Sequence, residues 1–107
     1  MVSINHMIYT SLWYLLIGFL LGNGMPHFLF GSAGKIFRTP FGKESSPRMN
    51  VRWGLFNFIL ATVLVWWRLS VQSPERYDLV FLLVGFWLVI IMFGVSLQSF
   101  ISDKTNI

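Results

Sequence analysis

Three long apolar stretches constrain the fold of this chain more than any other feature. They cover Met7–Gly22, Val51–Val71 and Leu79–Ile101, and roughly 20 helical residues are enough to cross the hydrocarbon core of a bilayer. Hydrophobic residues make up 55% of the chain and charged residues only 11%, so little polar surface is left for contact with water. The sequence therefore predicts an all-α integral-membrane protein with three transmembrane helices.

The length of 107 residues predicts a single membrane domain, residues 1–107, with no separate soluble module. The first apolar stretch is preceded by Met1–His6, which has no Lys or Arg, and no small-x-small cleavage motif follows it. We therefore expect it to be retained as a span and not removed as a signal peptide. The chain has no cysteine, which excludes disulfides and thiolate metal sites.

Basic residues cluster on one side of the predicted spans. The net charge is +4, and six of the eight basic residues fall in or beside the connecting segment 23–50 and in the C-terminal tail: Lys35, Arg38, Lys43, Arg48, Arg52 and Lys104. Arg68 and Arg76 fall on the other side. Because Lys and Arg near span ends favour the cytoplasm, we predict a multi-pass protein of the cell (inner or plasma) membrane, with the N-terminus outside and the C-terminus cytoplasmic.

The first five of these basic residues are also candidates for binding anionic lipid headgroups. The alternative is that they do no more than set the topology. Their position beside apolar spans argues against a nucleic-acid partner, so the predicted partners are the bilayer and its anionic headgroups.

Aromatic residues fit the same orientation, because Trp and Tyr favour the two membrane interfaces. Trp53 would mark the inner interface, whereas Trp87 falls in the middle of a span and is expected to pack against a neighbouring helix. The residues expected near the outer interface are Tyr9, Trp13, Tyr14, Trp66, Trp67 and Tyr77.

The connecting segment 23–50 contains four phenylalanines among glycines and basic residues, which is unlike a disordered linker. We expect a helix break at Gly22–Gly24, a short helix over Pro26–Ala33 and a turn at Thr39–Gly42. Glu44–Pro47 is the most polar part and is expected to be mobile. The broken backbone could hold an ion or substrate, as in transporters, or the short helix could simply lie in the membrane interface.

Asn23, His27 and Asn57 are the candidate ligand-binding residues. A histidine can titrate near neutral pH or bind a ligand, but no second ligand lies at metal-binding spacing, so no metal is predicted. The alternative for His27 is a hydrogen bond to a nearby backbone carbonyl. Asn57 could instead bond a partner helix, although it shares a helical face with Trp53 and could form a polar pocket with Asn23 and His27.

Small residues predict where helices approach each other closely. Each predicted span carries two of them: Gly18 and Gly22, Gly54 and Ala61, and Gly85 and Gly94. The predicted spans contain no carboxylate, which argues against ion coupling. No nucleophile with an evident base occurs either, so neither a catalytic residue nor a cofactor is predicted.

The run Gly22-Asn23-Gly24-Met25-Pro26-His27-Phe28 resembles the signature of a family of small bacterial integral-membrane proteins of unassigned function. The same resemblance includes Gly31, Gly34-Lys35, Thr39-Pro40-Phe41-Gly42 and the stretch from Asn50 to Phe58. The resemblance covers roughly residues 15 to 60. It implies a motif and no activity, and it selects the positions to test: Asn23, Pro26, His27, Phe41, Gly42 and Asn57.

Three functions remain open from the sequence. The first is a non-enzymatic protein whose inner loop binds a small or lipidic ligand, which would suit an oligomeric transporter or channel. The second is an accessory or interaction subunit of a larger membrane complex. The third is a membrane enzyme that uses His27 as its general base. Three short helices bury little surface, so we expect a homo-oligomer or a larger membrane partner.

Overall fold

The computed structural model describes residues 3–100, with the side chains of residues 3–95. Three helices in it are long and apolar enough to cross a membrane, as predicted. The predicted span end at Ile101 and the basic residue Lys104 lie outside the described residues. The elements in chain order are α1 (Ile4–Ser32), β1 (Phe37–Thr39), β2 (Gly42–Ser45), α2 (Pro47–Val71) and α3 (Arg76–Phe100).

Helix α1 is the centre of the fold. It packs along both α2 and α3, whereas α2 and α3 barely touch each other. The molecule measures 56 × 24 × 18 Å, so the helices form a thin layer with α1 in the middle. Tyr14, Ile17 and Leu20 of α1 and Ala61 of α2 form the buried apolar core.

The predicted break at Gly22–Gly24 and the separate short helix over Pro26–Ala33 are wrong. Helix α1 runs through both segments and ends at Ser32. Packing stabilises the helix there, because a Cβ on Gly24 would lie 2.8 Å from the Phe58 ring. Gly and Pro are tolerated in apolar helices whose neighbours pack closely, and this outweighs the weak local helix propensity of the segment.

The C-terminus of α1 is set by Gly34. This residue has φ +80°, a left-handed conformation that costs a residue with a Cβ about 1–2 kcal/mol. The amide of Lys35 donates to the carbonyl of Phe30 (2.9 Å) and the amide of Gly34 donates to that of Gly31 (3.0 Å). These two bonds make a Schellman cap, which satisfies the last carbonyls of the helix.

A two-stranded antiparallel hairpin joins α1 to α2, so the all-α prediction needs this correction. Phe37 pairs with Ser45 and Thr39 with Gly42, around the turn that was predicted at Thr39–Gly42. The hydroxyls of Thr39 and Ser45 lie 2.6 Å apart. Glu44 and Ser45 belong to β2, and Ser46 caps α2 by accepting from the Met49 amide (3.0 Å). The segment predicted to be mobile is therefore a strand and a helix cap.

One aromatic prediction, the packing of Trp87 against a neighbouring helix, also needs correction. Trp87 is 55% exposed, so it does not pack into a neighbouring helix of this chain. Tyr14 is only 3% exposed and lies in the core, where its phenol ring faces the other helices.

We call the end of the helix layer that carries residues 37–45 the hairpin end, and the other end the far end.

Candidate functional site

A buried hydrogen bond between His27 and Asn50 forms the centre of the hairpin end. His27 Nδ1 lies 2.8 Å from Asn50 Oδ1, and the two residues are 4% and 0% exposed. His27 comes from the last two turns of α1, and Asn50 from the first turn of α2. This one bond therefore links the two helices where the chain passes between them.

Asn50 also holds the hairpin in place. Its Nδ2 group lies 2.9 Å from the Phe37 carbonyl, 3.1 Å from that of Ser45 and 3.1 Å from that of Ser46. Carbonyl oxygens only accept hydrogen bonds, so the amide nitrogen faces them and Oδ1 faces His27. His27 then donates from Nδ1, which leaves Nε2 of the neutral ring as a hydrogen-bond acceptor.

Aromatic rings surround the His27 imidazole. The Phe37 ring centroid is 4.8 Å away at an interplanar angle of 81°, and the Phe93 centroid is 5.7 Å away at 89°. Both are edge-to-face arrangements, which are favourable for aromatic pairs. Phe37 of the hairpin and Phe93 of α3 thus fix the plane of the imidazole ring. The hydrogen bond to Asn50 fixes the rotation of the ring within that plane.

Asn23 and Asn57 form a second polar link between α1 and α2. Asn23 Nδ2 donates to Asn57 Oδ1 (3.2 Å), and Asn57 Nδ2 donates to the Trp53 carbonyl of its own helix (2.8 Å). Asn57 is 2% exposed, whereas Asn23 is only partly buried. Asn57 is thus committed to the helix contact, whereas Asn23 Oδ1 accepts no side-chain hydrogen bond from the described residues.

A cavity of about 620 Å³ opens beside these links, between α1, the hairpin and α2. His27 and Asn23 lie on its wall, with Arg38 and Lys43 of the hairpin. None of the described residues that line it is acidic. The other lining residues are Phe19, Thr39, Pro40, Gly42 and Trp53. Asn57 does not reach the wall, so of the three candidate ligand residues the fold brings Asn23 and His27 to one cavity.

A smaller apolar groove of about 270 Å³ shares one lining residue, Trp53, with this cavity. Phe41 of the hairpin turn and Phe56 of α2 form its sides, and Arg52 lies on its edge. The Phe41 and Trp53 rings meet edge to face at 5.6 Å. Together the two spaces have a polar, cationic part and an apolar part.

The five candidate headgroup residues are all exposed, but they do not form one patch. Arg38 and Lys43 line the large cavity and Arg52 lines the apolar groove. Lys35, after the α1 cap, and Arg48, in the first turn of α2, lie outside both walls. This division supplies matched control residues for the experiments below.

The predicted contact residues lie at the helix interfaces, with one exception. Gly18 and Gly22 of α1 face α3, where Gly85 approaches Leu15. Gly54 of α2 faces α1: an added Cβ would lie 2.7 Å from the Phe28 nitrogen. Ala61 is fully buried. Gly94 has no described atom within 4 Å of such a Cβ.

Sequence reasoning missed Asn50, and the spacing of residues on α2 could have found it. The buried positions of that helix are Asn50, Gly54, Asn57, Ala61 and Arg68. Their separations of four, three, four and seven residues follow one face of an α-helix. The interpretation above began the face of Asn57 at Trp53, which is only partly buried, and so left out Asn50.

No group of three or more His, Cys, Asp or Glu side chains able to hold a metal ion occurs among the described residues. No protein-family profile, curated protein sequence or solved structure matches this chain. The geometry of the site is therefore the basis for the functional argument.

Proposed function

We propose that this protein lies in a membrane, with its hairpin end on the cytoplasmic side, and binds an anionic amphiphile at that end. The observation that carries the proposal is the cavity wall, which combines Arg38 and Lys43 with the hydrogen-bonding side chains of His27 and Asn23. The bound group would be a phosphate or carboxylate head that carries an apolar chain.

The charges favour such a head. Each basic residue near an anionic membrane surface contributes about 1 kcal/mol to binding, and the described wall has no acidic residue to oppose it. Arg38 and Lys43 would attract the head to the mouth of the cavity. Deeper in, a hydroxyl of the head group would donate to His27 Nε2, because Nδ1 is already bonded to Asn50.

The adjoining groove favours an apolar chain on the ligand. Phe41, Trp53 and Phe56 form an apolar surface next to the cationic cavity. Burial of apolar area contributes about 25 cal/mol per Å², so a chain in this groove would add affinity that a free phosphate or carboxylate lacks. Arg52 at the groove edge provides a third cation beside the head.

Native mass spectrometry of the protein, released from nanodiscs of equal phosphatidylglycerol and phosphatidylcholine, tests the proposal. The variant Arg38→Gln/Lys43→Gln removes two charges from the cavity wall. The control Lys35→Gln/Arg48→Gln removes two charges outside it. Loss of two contacts of about 1 kcal/mol each corresponds to about a 30-fold loss of retained anionic lipid in the first variant only.

Equal loss in both variants would show that the basic residues act only as a diffuse charge, and would overturn the proposed site. Competition with glycerol phosphate distinguishes a lipid head from a free phosphate compound. If glycerol phosphate displaces the lipid at equal concentration, the groove holds no apolar chain. If the released protein retains no lipid but carries another protein, the result would support an accessory subunit of a larger complex instead. His27→Ala should lower lipid retention without changing the number of subunits.

A further inference from the structure

Five buried polar atoms at the far end have no hydrogen-bond partner among the described residues. One is the hydroxyl of the half-buried Tyr77 of α3, and the other four belong to strongly buried side chains. They come from all three helices: Ser11 Oγ and Tyr14 Oη from α1, Arg68 Nε from α2 and Asp78 Oδ1 from α3. Ser11, Tyr14 and Arg68 are each 3% exposed, and Asp78 is 1% exposed. We call this set the far-end cluster. An unsatisfied buried polar group costs about 1–3 kcal/mol, so four of them need a physical account.

The members of the cluster lie at one level of the helix layer. Gly18 of α1 lies against Leu82 of α3, and Gly22 against Phe86, so Tyr14 and Asp78, each four residues before the first contact, lie at the same level of the two helices. Ser11 lies three residues before Tyr14, and residues at that spacing are neighbours on one side of a helix. The hydrogen bond between His6 Nε2 and Gln72 Oε1 (3.0 Å) ties the start of α1 to the end of α2 beside them.

Arg68 and Asp78 are held in place by other contacts. The guanidinium carbon of Arg68 lies 5.0 Å from the Trp67 ring and 5.6 Å from the Tyr9 ring. Asp78 Oδ2 accepts from the Glu75 amide (2.9 Å) and so caps α3. An arginine near the end of an apolar helix usually extends towards water, but Arg68 is buried and its guanidinium lies over two aromatic rings.

We propose that the far-end cluster is a binding site for buried water. Arg68 and Asp78 carry opposite charges, so the cluster is neutral, and an added ion would place a net charge in a buried space. A neutral molecule that both donates and accepts is the occupant that fits. Buried waters typically make about three hydrogen bonds to polar groups that lack protein partners.

The donors and acceptors match such a molecule. Water can donate to Asp78 Oδ1 and to one of the Ser11 and Tyr14 hydroxyls, and it can accept from Arg68 Nε and from the other hydroxyl. Ser11 also lines a cleft of about 260 Å³ between α1 and α3, with Met7 and Phe81 among its walls. Ser11 is the one cluster residue among its lining residues, so water would reach the cluster through Ser11. The water would connect Arg68 to Asp78 and so join α2 to α3, which otherwise barely touch.

Nuclear magnetic resonance of the protein in nanodiscs, labelled with ¹⁵N-arginine, tests the proposal. The Arg68 Nε–H should show a direct nuclear Overhauser effect to long-lived water. Tyr14→Phe should weaken this signal at least twofold, because it removes one ligand of the water. The control Tyr9→Phe removes an exposed hydroxyl next to the same guanidinium and should leave the signal unchanged.

Thermal unfolding supplies a second readout. Asp78→Asn keeps an oxygen that can cap α3, and Arg68→Gln keeps a hydrogen-bond donor. Each variant leaves one buried charge without its opposite charge, so each should lower Tm by several degrees. The double variant should recover at least half of the loss. Two results would overturn the proposal. Absence of the water signal in the wild type would mean that the cluster residues contact each other directly. A Tm that rises with sodium or potassium chloride but not with choline chloride would mean that the cluster binds a cation.

Discussion

The imidazole of His27 is held by the side-chain amide of Asn50, with 2.8 Å between Nδ1 and Oδ1. Because the same amide also donates to carbonyls at both ends of the hairpin, the position of the ring depends on the hairpin being folded. Any movement of residues 37–45 would change the orientation of His27 in the cavity. The hairpin is thus both a wall of the candidate site and the support of its histidine.

Substitution Asn50→Ala should strongly destabilise the protein. It would leave buried carbonyls and His27 Nδ1 without partners, and each such group costs about 1–3 kcal/mol. We expect a loss of about 3 kcal/mol in the free energy of unfolding, measured by denaturant titration in lipid micelles. Asn5→Ala, at an exposed position of the first turn of α1, is the control. A loss below about 1 kcal/mol at Asn50 would contradict its role as the link.

Substitution of Gly18 by Ala should push α1 away from α3. The added Cβ would collide with the Leu82 carbonyl, which is backbone and cannot move aside alone. Overpacking of this kind costs about 1–3 kcal/mol. Gly94→Ala meets open space and should stabilise α3 by about 0.5–1 kcal/mol, since alanine is the better helix former. Equal effects in the two variants, measured by thermal unfolding, would contradict the close approach of the helices.

Substitution Gly34→Ala should weaken the end of α1. The left-handed φ of +80° at this position costs an alanine about 1–2 kcal/mol. Hydrogen exchange of the Gly34 and Lys35 amides, which close the cap, should become faster by about tenfold. Ser32→Ala, at an exposed position two residues before Gly34, should leave both exchange rates unchanged. Unchanged exchange in Gly34→Ala would mean that the helix does not depend on this cap.

The orientation can be tested by cysteine labelling, because the chain has no cysteine of its own. Exposed positions at the two ends of the helix layer are Asn5 and Ser73 at the far end and Lys43 in the hairpin. A membrane-impermeant maleimide should label Asn5→Cys and Ser73→Cys on intact cells, and Lys43→Cys only after permeabilisation, since basic residues favour the cytoplasm. The reverse pattern would overturn the proposed orientation.

The wrong prediction of a helix break shows how tertiary contacts decide a local structure. Gly22, Gly24 and Pro26 all disfavour a helix when considered along the sequence alone. In the fold, glycines are needed because the helices approach too closely for a side chain: a Cβ on Gly22 would lie 2.9 Å from the Phe86 carbonyl oxygen. The same residues that suggest a break are the ones that permit a long central helix.

Asn50 and Asp78 show the same limit for the sites. Asn50 was missed because its partner His27 is 23 residues away along the chain, and only the pairing of α1 with α2 brings them together. Asp78 follows the loop between α2 and α3, where an exposed carboxylate would be expected, yet it is 1% exposed. Burial depends on which face each helix presents to its neighbours, and the sequence around Asp78 does not define that face.

The sequence by itself determined the three apolar helices and the turn at residues 39–42, because apolar length and turn chemistry are properties of neighbouring residues. It also selected His27 and Asn23, which the fold places on one cavity wall. The tertiary structure alone decided that α1 continues to Ser32, that the hairpin covers His27, and that Asn50 and the far-end cluster exist as sites. These features depend on contacts between residues far apart in the chain, which form only when whole helices pack together.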